Sequence, residues 1–246
     1  GMIASGLLVS TLELRAWSPP GWGATLAVAL GKSIMIAIGA FGLGLLIGIG
    51  GAYGKLYGGP VTRDLLGIYT TIVRAVPELI LILILYFAVT SSLNNLLLAW
   101  GFERIQISGF VAGIAVLGVV QGAYATEILR GAILSVPPGQ IEAARAMGMP
   151  PLTLAWRVTF PQMLAAAIPG LANLWLIATK DTALLAVVGY AELTLVTRQA
   201  ASTTKAFFTF FMAAGLLYLI ISILSTLLFN RIEAWARRGQ VRQEGR

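Results

Sequence analysis

The sequence contains no cysteine and no histidine. The absence of cysteine excludes disulfide bonds, thiolate metal sites and cysteine nucleophiles. The absence of histidine removes the commonest metal ligand, the usual general base and the usual pH switch. Charge is also scarce, because only 11% of the 246 residues are charged where a soluble domain carries about 25%. A soluble enzyme, a nucleic-acid module and a disordered chain are therefore excluded.

The few charges are unevenly spaced, and they leave five windows without any Asp, Glu, Lys or Arg. Each window meets the requirement of about 20 apolar residues for an α-helix that crosses a bilayer. The mean hydropathy of +0.86 agrees with this interpretation. The pattern predicts an all-α membrane protein with five transmembrane helices. The windows are 33–54, 79–102, 105–126, 158–179 and 206–230, with lengths of 22, 24, 22, 22 and 25 residues.

One membrane domain is expected to cover residues 24–235, between a leader at 1–23 and a basic tail at 236–246. Pro19, Pro20 and Gly21 break any helix in the leader. The predicted spans and the segments between them can be given in order. The spans are 24–53, 77–89, 107–133, 161–189 and 206–232; an amphipathic segment at 61–75 is expected at the inner interface, a short outer connection at 91–106, and an outer loop or short helix at 191–205.

The basic residues predict the orientation in the membrane. With five spans the two ends lie on opposite sides, and ten of the 17 Lys and Arg residues fall on the side of the C-terminal tail against four on the other. An excess of Lys and Arg marks the cytoplasmic face. The tail is therefore expected in the cytoplasm and the N-terminus outside. The count depends mainly on the residues from Arg231 onward, since the remaining loops score five to four.

The only substantial loop, residues 134–160, carries the signals of a short helix with defined ends. Proline at 137 and 138 suits a helix start, and Gly148 stands where a left-handed closing residue is needed. Proline at 150 and 151 prevents continuation. We expect about two turns of helix across the cytoplasmic ends of the spans, with Ala143 and Ala144 exposed. A second amphipathic piece, 152–160, is expected to end at Pro161.

Two interpretations of this short helix follow from the residues alone. A capped helix with an alanine face can enter a groove on another protein. Alternatively, it is a loop helix that only joins two spans. The residues themselves leave both interpretations open.

The loop resembles the EAA loop of ABC importer permeases, whose pattern is EAA, three residues, G, nine residues, I, one residue, LP. Val158 stands for Ile and Phe160 for Leu, with the spacing intact. The polar amino acid subgroup of this family includes histidine, glutamine, arginine and opine permeases. It is similar to this chain in segments 73–78, 126–133 and 180–184. In segment 73–78, Ala75 stands where the subgroup usually has Gly. The resemblance covers roughly residues 24–235. The matching loop residues are Glu142, Ala143, Ala144, Gly148, Val158, Phe160 and Pro161.

The resemblance implies a type I ABC importer permease fold and a transport subunit, not an enzyme, in the bacterial cytoplasmic (inner) membrane. Two such subunits, identical or homologous, would form the translocation path, with two ATPase subunits inside the cell and a solute-binding protein outside. No nucleic-acid partner, catalytic residue or metal is expected. The chain has no G-x-x-x-x-G-K-[ST] pattern, so ATP would be bound by the partner and no cofactor by this chain. The implied ATPase-coupling residues are Gln140, Glu142, Ala143, Ala144 and Gly148.

Several charged residues lie at the edges of the apolar windows or within the spans. A charge at the bilayer centre costs about 3 kcal/mol on insertion scales, so each needs a partner, an interfacial position or a water-filled cavity. Lys180 and Asp181 can form a polar step on a substrate path. Alternatively, they neutralise one another or lie at the outer interface. Arg74 and Glu78, four residues apart, either pair as a structural ion pair or contact substrate. The candidate translocation-path residues are Arg74, Pro77, Glu78, Lys180 and Asp181.

Amino acids travel as zwitterions, so a path for them needs both signs of charge at close range. Residues 74–78 look closest to members of the subgroup that handle basic amino acids and opines. We therefore expect polar or basic amino acids or opines as substrates. Two other classes compete with this expectation. An ion-coupled carrier or channel lacks an internal repeat here and leaves the capped loop unexplained, and a membrane-embedded enzyme lacks His, Cys and a carboxylate cluster within a span.

Overall fold

The computed structural model describes residues 21–101, 103 and 108–238. Most of the expected leader and the tail beyond residue 238 lie outside the described residues. All regular elements of the described part are helical. The helices are α1 (Gly23–Tyr57), α2 (Pro60–Ala75), α3 (Glu78–Ala99), α4 (Gly109–Leu134), α5 (Pro138–Ala146), α6 (Pro151–Leu154), α7 (Phe160–Asp181), α8 (Leu193–Thr204) and α9 (Phe207–Ala236).

Five helical segments of the described residues are long and apolar enough to cross a membrane, which confirms the predicted number of spans. They correspond to α1, α3, α4, α9 and the continuous run that includes α6 and α7. Their bounds are Gly23–Tyr57, Glu78–Ala99, Gly109–Leu134, Pro151–Ala186 and Phe207–Ala236. We call the end of the bundle where α1 and α4 finish and α7 begins the α5 end, because α5 follows α4 there.

The second span is longer than predicted. The expected end near residue 89 and the outer connection from residue 91 are wrong, because α3 continues to Ala99. Asn94 donates a hydrogen bond from Nδ2 to the carbonyl of Thr90 at 3.1 Å. The side-chain amide of Asn94 is thereby satisfied within α3, so this polar residue does not end the helix. The connection shrinks to the short stretch between α3 and α4.

The fourth span does not begin at Pro161 as predicted, because helical structure runs unbroken from Pro151 to Asp181. Residues Ala155–Thr159 form a π-helical turn in which the N–H of Phe160 bonds to the carbonyl of Ala155. A π-turn shifts the hydrogen-bond register by one residue. The shift comes immediately before Pro161, whose ring has no N–H to donate. The proline is therefore accommodated inside the helical run.

Glycines bring α1 and α4 into close contact. A Cβ atom built on Gly48 would lie 2.5 Å from Cβ of Ala125, and one on Gly44 would lie 2.8 Å from Cβ of Gln121. Small residues allow such an approach between helices in a membrane. Gly42 and Gly50 meet no atom within 4 Å and do not share this role.

Helix α2 folds back along the bundle from the end of α1. Its Tyr69 hydroxyl donates a hydrogen bond to the carbonyl of Val119 in α4, and Val73 is buried with Val120 and Ala123. The connection from α2 to α3, around Pro77, is thereby carried to the depth of the middle of α4.

Candidate functional site

A polar cluster lies at the midpoint of α4. Gln121 is fully buried there, and its Nε2 donates a hydrogen bond to Oδ2 of Asp181 at 3.0 Å. Gln121 Oε1 is buried and has no hydrogen-bond partner within the described part of the chain. Asp181 is itself only 8% exposed. An amide and a carboxylate are thus held together at the depth where a charge is most costly in a membrane.

Glu78 joins this cluster from the start of α3. Its carboxyl group lies close enough to Asp181 and Tyr124 to interact electrostatically with both. Arg74 acts electrostatically on the same Tyr124 from the last turn of α2. The structure therefore brings three predicted path residues to one place and adds Gln121 and Tyr124. Sequence reasoning missed these two because neither is charged, although a glutamine in the middle of an apolar window is a usable signal.

The predicted path charges do not form the ion pairs that were one interpretation of the sequence. Neither Arg74 with Glu78 nor Lys180 with Asp181 forms an ion pair within 4.0 Å in the described residues. The suggestion that Arg74 and Glu78 pair across the α2–α3 joint is therefore wrong. The bond from Gln121 to Asp181 also removes the alternative of an outer-interface position. Arg74, Pro77 and Lys180 are exposed on the surface of this chain.

The short helix predicted after the third span is present as α5. Pro137 is its N-cap and Pro138 its first residue. Gly148 has φ of +73°, in the left-handed region that favours glycine. The N–H of Met149 bonds to the carbonyl of Ala144 at 3.1 Å, and the N–H of Gly148 bonds to that of Arg145 at 2.9 Å. These two bonds form a Schellman motif, which confirms the predicted stop.

Helix α5 has a packed face and an open face. Ala144 is only 5% exposed, so the expectation that both alanines are exposed is wrong for this residue. Consecutive residues of an α-helix point about 100° apart, and a helix that is fixed to its neighbours must turn one of them inward. Glu142, Ala143 and Gly148 are exposed, and Met147 is 79% exposed. The open face is therefore available to another molecule.

A side-chain hydrogen bond connects α5 to the fourth span. Gln162 Nε2 donates to Gln140 Oε1 at 2.7 Å and also to the carbonyl of Val158 at 3.0 Å. Among the described residues α5 packs against α6 and the π-turn that precede α7. A direct side-chain hydrogen bond thus connects α5 to α7.

Near the α5 end, three helices meet at Glu127 of α4. Lys55 Nζ of α1 lies 2.6 Å from Glu127 Oε1, and Arg130 Nη2 lies 3.0 Å from Oε2. Lys55 also donates to Thr70 Oγ1 of α2 at 2.9 Å. This cluster ties α1 and α2 to the helix that leads into α5. Sequence reasoning did not single out Lys55 as a partner of Glu127.

At the opposite end, Glu192 is fully buried and has no cationic partner in the described residues. It caps α8 by accepting from the N–H of Leu195 at 2.9 Å. Its Oε2 accepts from Ser33 at 3.3 Å and from Tyr218 at 3.2 Å. Burial raises the pKa of Glu192 above its usual value. Sequence reasoning missed this residue; the signal was an isolated acid directly before a helical segment.

The chain is similar to transport proteins of known assignment. It is 39% identical over 230 residues to the nopaline transport system permease protein NocQ of Agrobacterium fabrum, covering 93% of this chain and 98% of the relative. It is 37% identical over 193 residues to the histidine/lysine/arginine/ornithine transport system permease protein HisQ of Escherichia coli K12, covering 78% and 85%.

Solved structures agree with these relatives. A crystal structure of an amino acid ABC transporter with histidines matches with a TM-score of 0.73 and 26% identity, covering 87% of this chain and 94% of that chain. The inward-facing MetNI methionine ABC transporter shows the same fold with a TM-score of 0.71 at 20% identity. Both matches agree with the expected permease fold.

The family match covers most of the described chain. Residues 40–238 match the family described as binding-protein-dependent transport system inner membrane component. This range contains the polar cluster and α5, together with four complete apolar spans and part of the first. The function of such a component is transport across a membrane and not catalysis of a reaction. The chain therefore belongs to the family of binding-protein-dependent transport system inner membrane components.

Proposed function

We propose that this chain is one of two permease subunits that form the path of an ATP-driven importer for polar or basic amino acids or opines. The relatives named for nopaline and for histidine, lysine, arginine and ornithine support this substrate class. The observation that carries the proposal is the buried hydrogen bond between Gln121 and Asp181 at the midpoint of α4, with Glu78 close by.

The cluster suits a substrate with both signs of charge. Glu78 and Asp181 can bind an ammonium or guanidinium group by charge-assisted hydrogen bonds, and Arg74 can bind a carboxylate. The free Oε1 of Gln121 offers one more acceptor. Lys180 and Pro77 complete the proposed path, Lys180 as a second cation and Pro77 as the N-cap of α3 that sets the direction of Glu78.

A second permease subunit is needed to close this path. Arg74 and Lys180 are exposed on the lone chain at mid-membrane depth. Contact with lipid would cost about 3 kcal/mol for each charge, so a protein or water-filled surface must face them. The apolar stripe of α2 is exposed as well, and it gives a second subunit a surface on which to pack. The stripe consists of Val61, Leu65, Ile68 and Ile72.

Helix α5 is the proposed coupling helix. Its exposed residues Glu142 and Ala143 would contact a cytoplasmic ATPase subunit, while Ala144 and Gln140 fix the helix to the span that follows. Gly148 provides the stop that keeps the helix rigid. ATP would be bound by the partner, and this chain needs no cofactor of its own.

The orientation follows from the same assignment. Helix α5 and the C-terminal end of α9 lie at the same end of the bundle, because Phe160 and Trp235 line one cavity there. We place this end in the cytoplasm of a bacterium and the opposite end outside, where a solute-binding protein would dock. The excess of basic residues on the side of the tail supports this direction.

The coupling role is tested with Gly148→Asp in the intact transporter. We expect uptake to be lost while the protein still inserts, because an L-residue at φ of +73° is strained and the new charge faces the ATPase. Gly59→Asp is the matched control, since Gly59 lies outside α5, is exposed and meets no neighbour within 4 Å. Normal uptake by Gly148→Asp would reject the coupling role.

The partners are tested by purification from membranes. An ATPase subunit and a second permease are expected to accompany the chain. If neither does, and the purified protein moves substrate down an ion gradient, the chain is a carrier instead.

The path is tested by the charge of the substrate. Asp181→Asn and Glu78→Gln should reduce uptake of arginine more than uptake of neutral glutamine, because they remove the carboxylates proposed to bind the cationic side chain. Glu103→Gln serves as a control, since Glu103 is an exposed acid between α3 and α4. Equal losses for both amino acids would remove substrate-charge recognition from this cluster and leave the coupling role untouched.

A further inference from the structure

A cavity of about 360 Å³ lies at the α5 end of the bundle, where the start of α7 meets the end of α9. It is separate from the polar cluster and from the open face of α5. Among the described residues, its walls come from the start of α7 and from the end of α9 with the residues just beyond it. The lining residues are Phe160, Pro161, Leu164, Trp235, Ala236 and Arg238.

Arg238 is the one cation among the residues that line the cavity, and the others are apolar. Arg238 stands two residues beyond the end of α9, the last apolar span. Leu164 lies one turn further along α7 than Phe160, which places it about 6 Å deeper at roughly 1.5 Å per residue. Trp235 is 61% exposed, so its ring is open to the surroundings. A cation at the surface is thus followed inward by an apolar wall.

Two neighbouring arginines differ in this region. Arg237 Nε lies 3.0 Å from Glu233 Oε1, one turn back on α9. Arg238 takes part in no ion pair in the part of the chain that the structure describes. The arginine that lines the cavity is therefore the one whose charge is not already compensated by an acid.

Aromatic side chains lie at and beside the cavity. Trp156 and Phe160 pack with ring centroids 5.1 Å apart, and Trp156 is 62% exposed. Tryptophan is enriched where a membrane protein meets the lipid headgroups. Together with Trp235, these rings mark the headgroup level on the α5 side.

We propose that this cavity binds an anionic phospholipid of the leaflet on the α5 side. The Arg238 guanidinium would hold the phosphate through charge-assisted hydrogen bonds, and one acyl chain would lie along Phe160 and Leu164. A free phosphate would find only the arginine, whereas the apolar wall fits a molecule with a hydrocarbon tail. Basic pockets between membrane helices on the cytoplasmic side bind such headgroups.

The test is native mass spectrometry of the intact, delipidated transporter, titrated with phosphatidylglycerol and, separately, with phosphatidylethanolamine of the same acyl chains. Arg238→Gln should weaken phosphatidylglycerol binding by about fivefold, since one arginine near a membrane surface contributes about 1 kcal/mol. Phosphatidylethanolamine binding should change much less. Arg237→Gln removes the same charge one residue away and should behave like the wild type.

A second variant separates the cavity from general attraction to a basic tail. Leu164→Trp fills the apolar wall without a change in charge, and it should also weaken phosphatidylglycerol binding, with the melting temperature measured to confirm folding. Equal losses for Arg237→Gln and Arg238→Gln would overturn the proposal. The proposal would also be overturned if Arg238→Gln bound phosphatidylglycerol like the wild type but lost the ATPase subunit. This surface would then be a protein contact.

Discussion

Glu127 and Glu192 each lie where helices are bonded to one another, but their charges are compensated in different ways. Glu127 near the α5 end lies against two cations, Lys55 and Arg130. Glu192 at the opposite end is fully buried among neutral donors, namely a backbone N–H and the hydroxyls of Ser33 and Tyr218. The same residue type thus holds one end by ion pairing and the other by hydrogen bonding alone.

The two sites share α1 as a common support. Ser33 and Lys55 are 22 residues apart on this helix, which corresponds to about 33 Å at roughly 1.5 Å per residue. This is close to the thickness of the hydrocarbon core. Each end of the bundle therefore has its own polar anchor, Glu127 at the α5 end and Glu192 at the opposite end. The ion pairs lie on the helix that leads into α5.

The largest expected effect is that of Glu192→Ala. The substitution removes a helix cap, worth about 1 kcal/mol, and leaves buried donors unpaired at about 1–3 kcal/mol. We expect a loss of about 3 kcal/mol in the free energy of unfolding, measured by denaturant unfolding in detergent. Glu233→Ala, which breaks an exposed pair on α9, should cost no more than about 0.5 kcal/mol. A similar small loss for both would show that Glu192 is not an anchor.

A somewhat smaller effect is expected for Lys55→Met at the other anchor. Glu127 keeps Arg130 but loses its closer cation, and we expect a cost of about 2 kcal/mol, less than the 3–5 kcal/mol of a fully buried pair. Adding Glu127→Gln should recover part of this loss, because the uncompensated carboxylate is then gone. Arg63→Met is the control, since Arg63 is exposed and forms no ion pair in the described residues. A double variant that is less stable than Lys55→Met would contradict ion pairing as the basis of this anchor.

Thr70→Val removes the hydrogen bond from Lys55 to α2 and leaves the ion pair with Glu127 in place. The expected cost is about 1 kcal/mol, the usual net contribution of one hydrogen bond. Thr71→Val on the same helix provides the comparison, because Thr71 is exposed. If the two variants unfold at the same denaturant concentration, α2 is not held through Lys55.

The smallest expected effect is a pH dependence at Glu192, where only a proton changes. Burial raises its pKa above the usual 4.5, so the folded chain binds this proton at a higher pH than the unfolded chain. The free energy of unfolding should therefore rise as the pH falls from neutral through the raised pKa, with no further gain below 4.5. Glu192→Gln should lack this rise. Parallel pH curves for the two proteins would show that the buried carboxyl group does not titrate in this way.

Some features of the candidate site could be predicted from the sequence and others could not. Gly148 and the prolines around α5 predicted its two ends, because these residues restrict their own backbone. The charge-free windows predicted five spans, because length and hydropathy are local properties. The contact between Glu78 and Asp181 was not predictable, since more than 100 residues separate them along the chain. Whether these two and the other path residues bind substrate stays a prediction.

The sequence by itself determined that the chain spans a membrane, how many times it does so, and where a short capped helix interrupts the spans. These properties depend on the composition of continuous segments. Only the tertiary structure decided that Ala144 turns inward, that Lys55 reaches Glu127 and that Glu192 is buried beside Ser33. Each of these depends on which helices are neighbours and how they are rotated, and helix packing fixes both through contacts between residues far apart in sequence.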